Sequence, residues 1–362
     1  MAAKGRKRTG NPARRNRPAA NQPATPRPAG NKPAAKKKPA ASVRAPGRTS
    51  RWSDRLRDPE VGTGYPLLLR VLPTAAEPAA WLRGVLGVFG ALLGYAMLVP
   101  SVGMLIWVLG WSISGRGDGT TLAEFLELAR AYETPWGPAG GHVGIAMLIP
   151  VSLAVVAMVH RTKPGWLWSV VRGIRWRLLG WSLLVSAVIV AAVLAVTTWL
   201  EKLDYSWQPQ DGFWGFLIVI VLVTPFQAAA EEVFFRGYLM QALGSFARSP
   251  WVGVVLSALV FAAFHGVQNP ALFADRLAFG LLAGVLVWRT GGLETAIAAH
   301  VINNVFAFGL ATLTSSVAAA RALQEITWAA AAADIAGWTV LALGLWLLAK
   351  RRGEHTEVPA AS

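Results

Sequence analysis

Apolar stretches at about 84–113, 142–160, 178–199, 212–230, 251–267, 272–288, 293–314 and 328–349 alternate with short polar connections. Most reach the roughly 17 to 25 residues a helix needs to cross the hydrocarbon layer, where a backbone must satisfy its own hydrogen bonds. The pattern therefore predicts an all-α fold, a polytopic transmembrane helical bundle of about eight spans. The runs at 251–267 and 272–288 are the shortest, and both carry polar residues.

Charge in the connections orients these spans, because short loops rich in Lys and Arg stay in the cytoplasm. The 161–177 connection holds Arg161, Lys163, Arg172, Arg175 and Arg177 with no acid, and the last run ends at Lys350-Arg351-Arg352. Connections 114–140 and 200–211 lean acidic, with Glu124, Glu127, Glu133, Asp204 and Asp211. An even number of spans with both termini cytoplasmic satisfies every one of these biases. The expected location is the cell membrane, multi-pass.

Composition agrees. With 54% hydrophobic and 15% charged residues, the chain is too apolar for a water-soluble domain of this size. The formal charge of +16 is concentrated at the start, since residues 1–60 hold 17 basic and three acidic groups. That Lys-, Arg-, Pro- and Ala-rich segment cannot bury enough surface to offset its chain entropy, so it reads as a disordered cytoplasmic tail. Its natural partners are anionic lipids, and nucleic acid is not expected. The remaining divisions are N-terminal transmembrane helices at 61–211, a core at 212–314, and a last helix with a cytoplasmic tail at 315–362. Cysteine is absent, which excludes disulfides, thiolate ligands and a cysteine nucleophile.

Tryptophans near the span ends, among them Trp81, Trp166, Trp251 and Trp288, suit the headgroup level. The small-xxx-small pairs Gly90/Gly94 and Gly280/Gly284 suit close helix packing. His142 and His160 fall at span ends, and Asp275, Arg276 and Asp334 lie towards the outer ends of theirs; all are read as structural.

Ionisable groups at bilayer depth cost about 2.5 to 3.5 kcal/mol even on a lenient scale, so they survive where they face protein or a wet cavity. Such groups cluster in the second half: Glu231, Glu232 and Arg236, then His265, then His300, Asn303 and Asn304. Glu232 and Arg236 are four apart and pair on one helix face, while Glu231 points about 100° away. His300 and Asn304 share a face, as do Phe261 and His265. Attack on a peptide carbonyl needs a base for water and a donor to the oxyanion. Glu231 suits the base, His265 and His300 suit holding the water directly or through a metal, and Asn304 suits the oxyanion. The spacing is not the HExxH of soluble zinc hydrolases. A polar network that packs helices or lines a transport path is the rival reading.

The three segments, EEVFFR at 231–236, FAAFH at 261–265 and HVINN at 300–304, resemble the type II CAAX prenyl endopeptidase and bacteriocin-processing family, with its EExxxR, FxxxH and HxxxN motifs. FRGYL at 235–239 and the run from Phe279 to Leu293 look similar too. The resemblance covers 212–314 and implies an intramembrane endopeptidase of that family. It implies Glu231 as base, His265 and His300 as water or metal positioners, Asn304 as oxyanion partner, and Glu232 with Arg236 as supporting pair. Glu231, His265 and His300 are the candidate metal ligands, with zinc the candidate ion. The expected partner is a membrane-associated peptide or protein substrate, cleaved near the cytoplasmic side. The alternatives are a non-catalytic partner-binding scaffold of the same fold and a transporter.

Overall fold

The computed structural model describes residues 56–70, 81–202 and 207–360; most of the basic tail, and Asp204, lie outside the described residues. The chain is helical throughout, with only isolated β-bridges among the described residues. The elements are α1 (Leu82–Gly110, continued by a π-turn at Trp111–Gly115), α2 (Leu122–Arg130), α3 (Trp136–Ala146), α4 (Leu148–Met158), α5 (Trp176–Glu201), α6 (Phe213–Leu222), α7 (Thr224–Glu232), a π-helix at Val233–Leu239, α8 (Met240–Ala247), α9 (Pro250–Ala263), α10 (Pro270–Thr290), α11 (Glu294–Thr314), α12 (Val317–Arg321) and α13 (Trp328–Arg351).

All eight apolar runs become helices, and seven helical segments are long and apolar enough to cross a membrane. The exception is α9, which has 14 residues. At about 1.5 Å per residue it rises roughly 21 Å, short of the roughly 30 Å hydrocarbon core. It ends early because Gly266 adopts φ +79 and Pro270 opens the next helix. His265 is thus in the turn just beyond the helix, still on the side of Phe261 that the spacing suggested, with ring centroids 4.6 Å apart. The segment from Phe213 to Ala247 behaves in the opposite way, running as one 35-residue span past the end of the apolar run at 230. Pro225 supplies no amide N–H, and α6 passes into α7 at Val223. This long span carries Glu231 and Glu232 into the interior of the bundle.

The helices leave two unlike ends. At one, the segments 56–70, 159–175, 290–294 and 352–358 are stitched together. Arg57 N–H donates to the Arg161 carbonyl at 2.8 Å, Val170 to Gly291 at 2.9 Å, Leu293 to Trp168 at 2.9 Å and Gly62 to Val358 at 2.9 Å. Tyr65, fully buried, donates to the Leu167 carbonyl. This is the end with Arg161, Lys163, Arg172, Lys350 and Arg351. Trp166, expected in the headgroup belt, is instead only 7% exposed, and its indole donates to Asp58 at 2.9 Å. His142 and His160 likewise are buried rather than placed at the membrane surface. At the opposite end Gln208 and Gln210 bond to Leu313 and Thr312, and Asn269 to Gln324.

Close packing follows the glycines only in part. A Cβ on Gly280 or Gly284 would come within 3.0 Å of Ala258 or 3.1 Å of Val254, so this pair seats α10 against α9. A Cβ on Gly94 would meet Val151 at 2.8 Å, whereas Gly90 faces open space.

Among the described ion pairs of the stitched end, Arg175–Glu294 is the most buried. Arg175 donates from its backbone N and Nε to Glu294 Oε1 at 2.8 and 3.0 Å and from Nη2 to Oε2 at 2.6 Å, and the Glu294 side chain is 2% exposed. The carboxylate also sits in the first turn of α11, where it complements the helix dipole. Arg175→Gln leaves it buried without its charge partner, an arrangement that costs about 3 kcal/mol or more. A clear drop in thermal unfolding temperature in detergent is expected, and an unchanged one would show that the pair contributes little.

Candidate functional site

Glu232 is the deepest of the site carboxylates. It is 0% exposed, as is Arg236, whose Nη1 donates to Glu232 Oε1 at 2.9 Å. The guanidinium also lies over the rings of Phe261, at 4.1 Å from the centroid, and Phe279, at 5.3 Å. Cation–π contact thus supplies what a second counter-charge would otherwise have to. The Glu232 oxygen that meets Arg236 lies 2.7 Å from His300 Nδ1. A carboxylate can only accept, so the proton of the imidazole is on Nδ1. Nε2 of His300 is thereby turned towards Glu231, at 3.7 Å from Oε2.

Glu231, one residue earlier, projects from a different side of α7. Its Oε1 accepts from Gln227 Nε2 at 2.6 Å, and Gln227 Oε1 accepts from Asn304 Nδ2 at 3.1 Å. Asn304 Oδ1 in turn accepts from Asn303 Nδ2 at 3.1 Å. The orientation of every amide in this chain is therefore fixed by its neighbours. Asn304 Nδ2 retains a second hydrogen. His265 donates from Nδ1 to the Phe261 carbonyl at 2.8 Å, so its neutral ring presents Nε2 as an acceptor.

Glu231, His265, His300 and Asn304 all line one cavity of about 500 Å³. The four residues expected from the sequence are therefore brought together around shared space. Glu232 and Arg236 lie behind its wall. Glu232 does more than orient a helix, since it is the partner that sets the His300 tautomer. Gln227 was missed, although its position one turn before Glu231 in an otherwise apolar stretch is a readable signal. Tyr95, Tyr132, His142, Arg276 and Arg321 also line the cavity. His142, read as structural, bonds Thr224 Oγ1 at 3.0 Å and packs on Tyr132 and Phe308. No local sequence pattern marks these residues, because the turns that deliver Tyr132 and Arg321 are distant in the chain.

The rim includes Gly266, Val267 and the stretch from Ala320 to Gln324. These belong to the end opposite the basic loops. Cleavage was expected near the basic end, whereas the short α9 and the turn after it leave the cavity's exposed lining at the other end.

For zinc, the donors do not fit. Among the described residues no group of three or more His, Cys, Asp and Glu is placed to hold a metal ion.

With this geometry in view, comparison with known proteins is direct. Residues 212–306 match the family described as type II CAAX prenyl endopeptidase Rce1-like. The matched segment contains Glu231, His265, His300 and Asn304. The chain is also similar to the uncharacterized protein YyaK of Bacillus subtilis (strain 168), 28% identical over 150 residues. That match spans 39% of this chain and half the length of the relative. No solved structure matches.

Glu232 and Arg236 form a buried pair whose halves are costly alone. Glu232→Gln or Arg236→Gln is expected to destabilise by about 3 to 5 kcal/mol, while replacing both by Met restores much of the loss. Unfolding temperatures of the two single variants and the double one give the coupling, and additive losses would contradict it.

Proposed function

We propose that the protein is an intramembrane endopeptidase that hydrolyses a peptide bond of a membrane-associated peptide or protein. The observation that carries this reading is the convergence of Glu231, His265, His300 and Asn304 on one cavity, within a segment that matches an endopeptidase family.

In this reading a water lies between the Glu231 carboxylate and the two imidazoles. The 3.7 Å from Glu231 to His300 Nε2 is long for a direct bond and suits a bridging molecule. Glu231 takes one proton of the water as its oxygen attacks the carbonyl carbon. The water's other hydrogen is shared between the two imidazole acceptors, Nε2 of His265 and Nε2 of His300, which orient it. The oxyanion receives the remaining N–H of Asn304, held in place by Gln227 and Asn303. Glu231 then returns its proton to the amide nitrogen as the C–N bond breaks, leaving a carboxylic acid and an amine. Proton transfer of this kind contributes typically 10² to 10⁴-fold, and a positioned oxyanion donor about 10² to 10³-fold. The substrate's access follows from the rim. If the basic end faces the cytoplasm, as loop charge indicates, the bond is reached from the opposite side of the membrane.

Purified protein in liposomes is expected to cleave a membrane-associated peptide, with Glu231→Gln reducing the rate at least about 100-fold at unchanged folding. Activity should survive a chelator, since no step uses a metal. Full cleavage by Glu231→Gln would remove the mechanism, and abolition by chelator with rescue by zinc would replace it with a metal one.

Sidedness has its own test, made clean by the absence of native cysteine. Val267 is 78% exposed at the rim. Val267→Cys should react with a membrane-impermeant maleimide in intact cells, and Arg352→Cys only after permeabilisation. The reverse pattern would place the cavity mouth in the cytoplasm.

A further inference from the structure

Two arginines line the cavity that holds Glu231. Arg276 comes from α10 and Arg321 from the last turn of α12, and both border the same space as His265 and Gln324. Among the described residues Glu231 is the one carboxylate in that lining. With the imidazoles neutral, one carboxylate against two guanidiniums leaves a net positive charge. Neither arginine makes an ion pair among the described residues. Asp275, beside Arg276 in sequence, accepts instead from the Trp338 indole at 3.1 Å. The connections of this end otherwise carry Glu124, Glu127 and Glu133, and none of these lines the cavity.

Both side chains are held in place. Arg276 Nη1 donates to Gln268 Oε1 at 2.8 Å, and Gln268 Nε2 donates in turn to the Ala262 carbonyl at 2.7 Å. The rest of the Arg276 fork has no hydrogen-bond acceptor among the described residues. Arg321 lies over the Tyr132 ring, 5.7 Å from its centroid. Tyr132 adopts the left-handed region at φ +62, a costly conformation for a bulky side chain, and this fixes the ring beneath the guanidinium. Two positioned guanidiniums bordering one open space suit a carboxylate, which accepts paired N–H bonds and removes the surplus charge.

Cavity size and the open rim narrow the source of that carboxylate. A space of about 500 Å³ is on the order of 10 Å across, the length of about three extended residues. A substrate with its carbonyl at Glu231 therefore brings a nearby residue of its own chain to the arginines. Val267 and Leu323 at the rim are 78% and 48% exposed, and Arg321 is exposed beside them. Among the described residues nothing closes this side over a chain end. A bound chain runs on outward, and the carboxylate at the arginines is that of a side chain.

We propose that Arg276 and Arg321 select substrates bearing an Asp or Glu side chain within about three residues of the scissile bond, on the segment that leads to the rim. This inference rests on the endopeptidase reading. Full-length protein in liposomes is given membrane-anchored peptides identical but for Asp, Asn or Lys at one position near the bond. The Asp peptide should show a KM about tenfold below that of the Asn peptide, the effect of one charge-assisted contact, with kcat little changed. Arg276→Gln should abolish that ratio, and Arg321→Gln, at an exposed site, should reduce it about threefold. Arg321→Glu should turn the preference towards the Lys peptide, a reversal that a merely structural role would not produce. Arg130→Gln, an exposed arginine of the same end outside the cavity, should leave the ratio unchanged. Equal KM for the Asp and Asn peptides, or an equal loss in Arg130→Gln, overturns the proposal. A preference set by a free against an amidated C-terminus, and blind to Asp, would assign the arginines to a chain end and overturn the side-chain assignment. Binding of the same peptides to Glu231→Gln protein, which keeps both arginines, separates the two readings. Asp-dependent binding without cleavage by the wild type removes the endopeptidase reading and leaves the arginine assignment, whereas cleavage without Asp preference does the reverse.

Discussion

Hydrocarbon does not tolerate an isolated charge, and the core of this protein is organised around meeting that condition for Glu232. A carboxylate with no exposure needs a counter-charge and hydrogen-bond donors, and Glu232 has both at Oε1, whereas its Oε2 is buried without a hydrogen-bond partner. The partners come from three directions: Arg236 one turn further along the same span, His300 from α11, and, through Arg236, the ring faces of Phe261 on α9 and Phe279 on α10. Four elements are thus drawn to one point, and the relative rotation of each is set by the side chain it must present. The cavity-lining residues inherit their positions from this arrangement. His300 cannot turn without breaking its bond to Glu232, and α7 cannot rotate to move Glu231 without displacing Glu232.

The two ends of the bundle divide the remaining work. At the basic end, backbone bonds between loops and the Arg175–Glu294 pair hold the helix ends together. His300 lies six residues beyond Glu294, roughly 9 Å along α11, so rigidity there is transmitted to the imidazole over a short distance. At the other end, α9 stops before it could cross, and the chain turns back within a space that helices would otherwise fill. Irregular backbone at such depth needs internal partners. Gln268 donates to the Ala262 carbonyl at 2.7 Å, and Asn269 caps α10 by accepting from Leu272 at 2.9 Å. The interruption that places His265 in a turn is also what opens the cavity.

Much of this was legible in the sequence because hydrophobic period and length are strong signals in a membrane. The eight runs all became helices, and the polar residues that violate the apolar rule were the ones that meet. What could not be read depends on tertiary contact. Only Gly266 and Pro270 mark the early stop of α9 locally, and the apolar run continues through Phe264 and Val267 on both sides of it. Trp166 has the composition of a headgroup anchor, and only the partner at Asp58, more than a hundred positions away, makes it a buried strut. The direction of the cavity mouth was likewise invisible, because it depends on which end of the bundle is stitched shut.

The adjacency of Glu231 and Glu232 has a physical reason that the motif alone does not express. Neighbouring positions on a helix diverge by about 100°, so two consecutive acids cannot share an environment. One faces Arg236 and is consumed by structure; the other faces water-accessible space. His300 then spans the two with its two nitrogens, taking its proton location from the buried acid and offering Nε2 towards the open one. The carboxylate that never meets solvent thereby controls which atom the imidazole presents to a substrate. A single helical step between the acids is what couples the stability of the bundle to the chemistry of the cavity, and inserting or deleting one residue there would separate them.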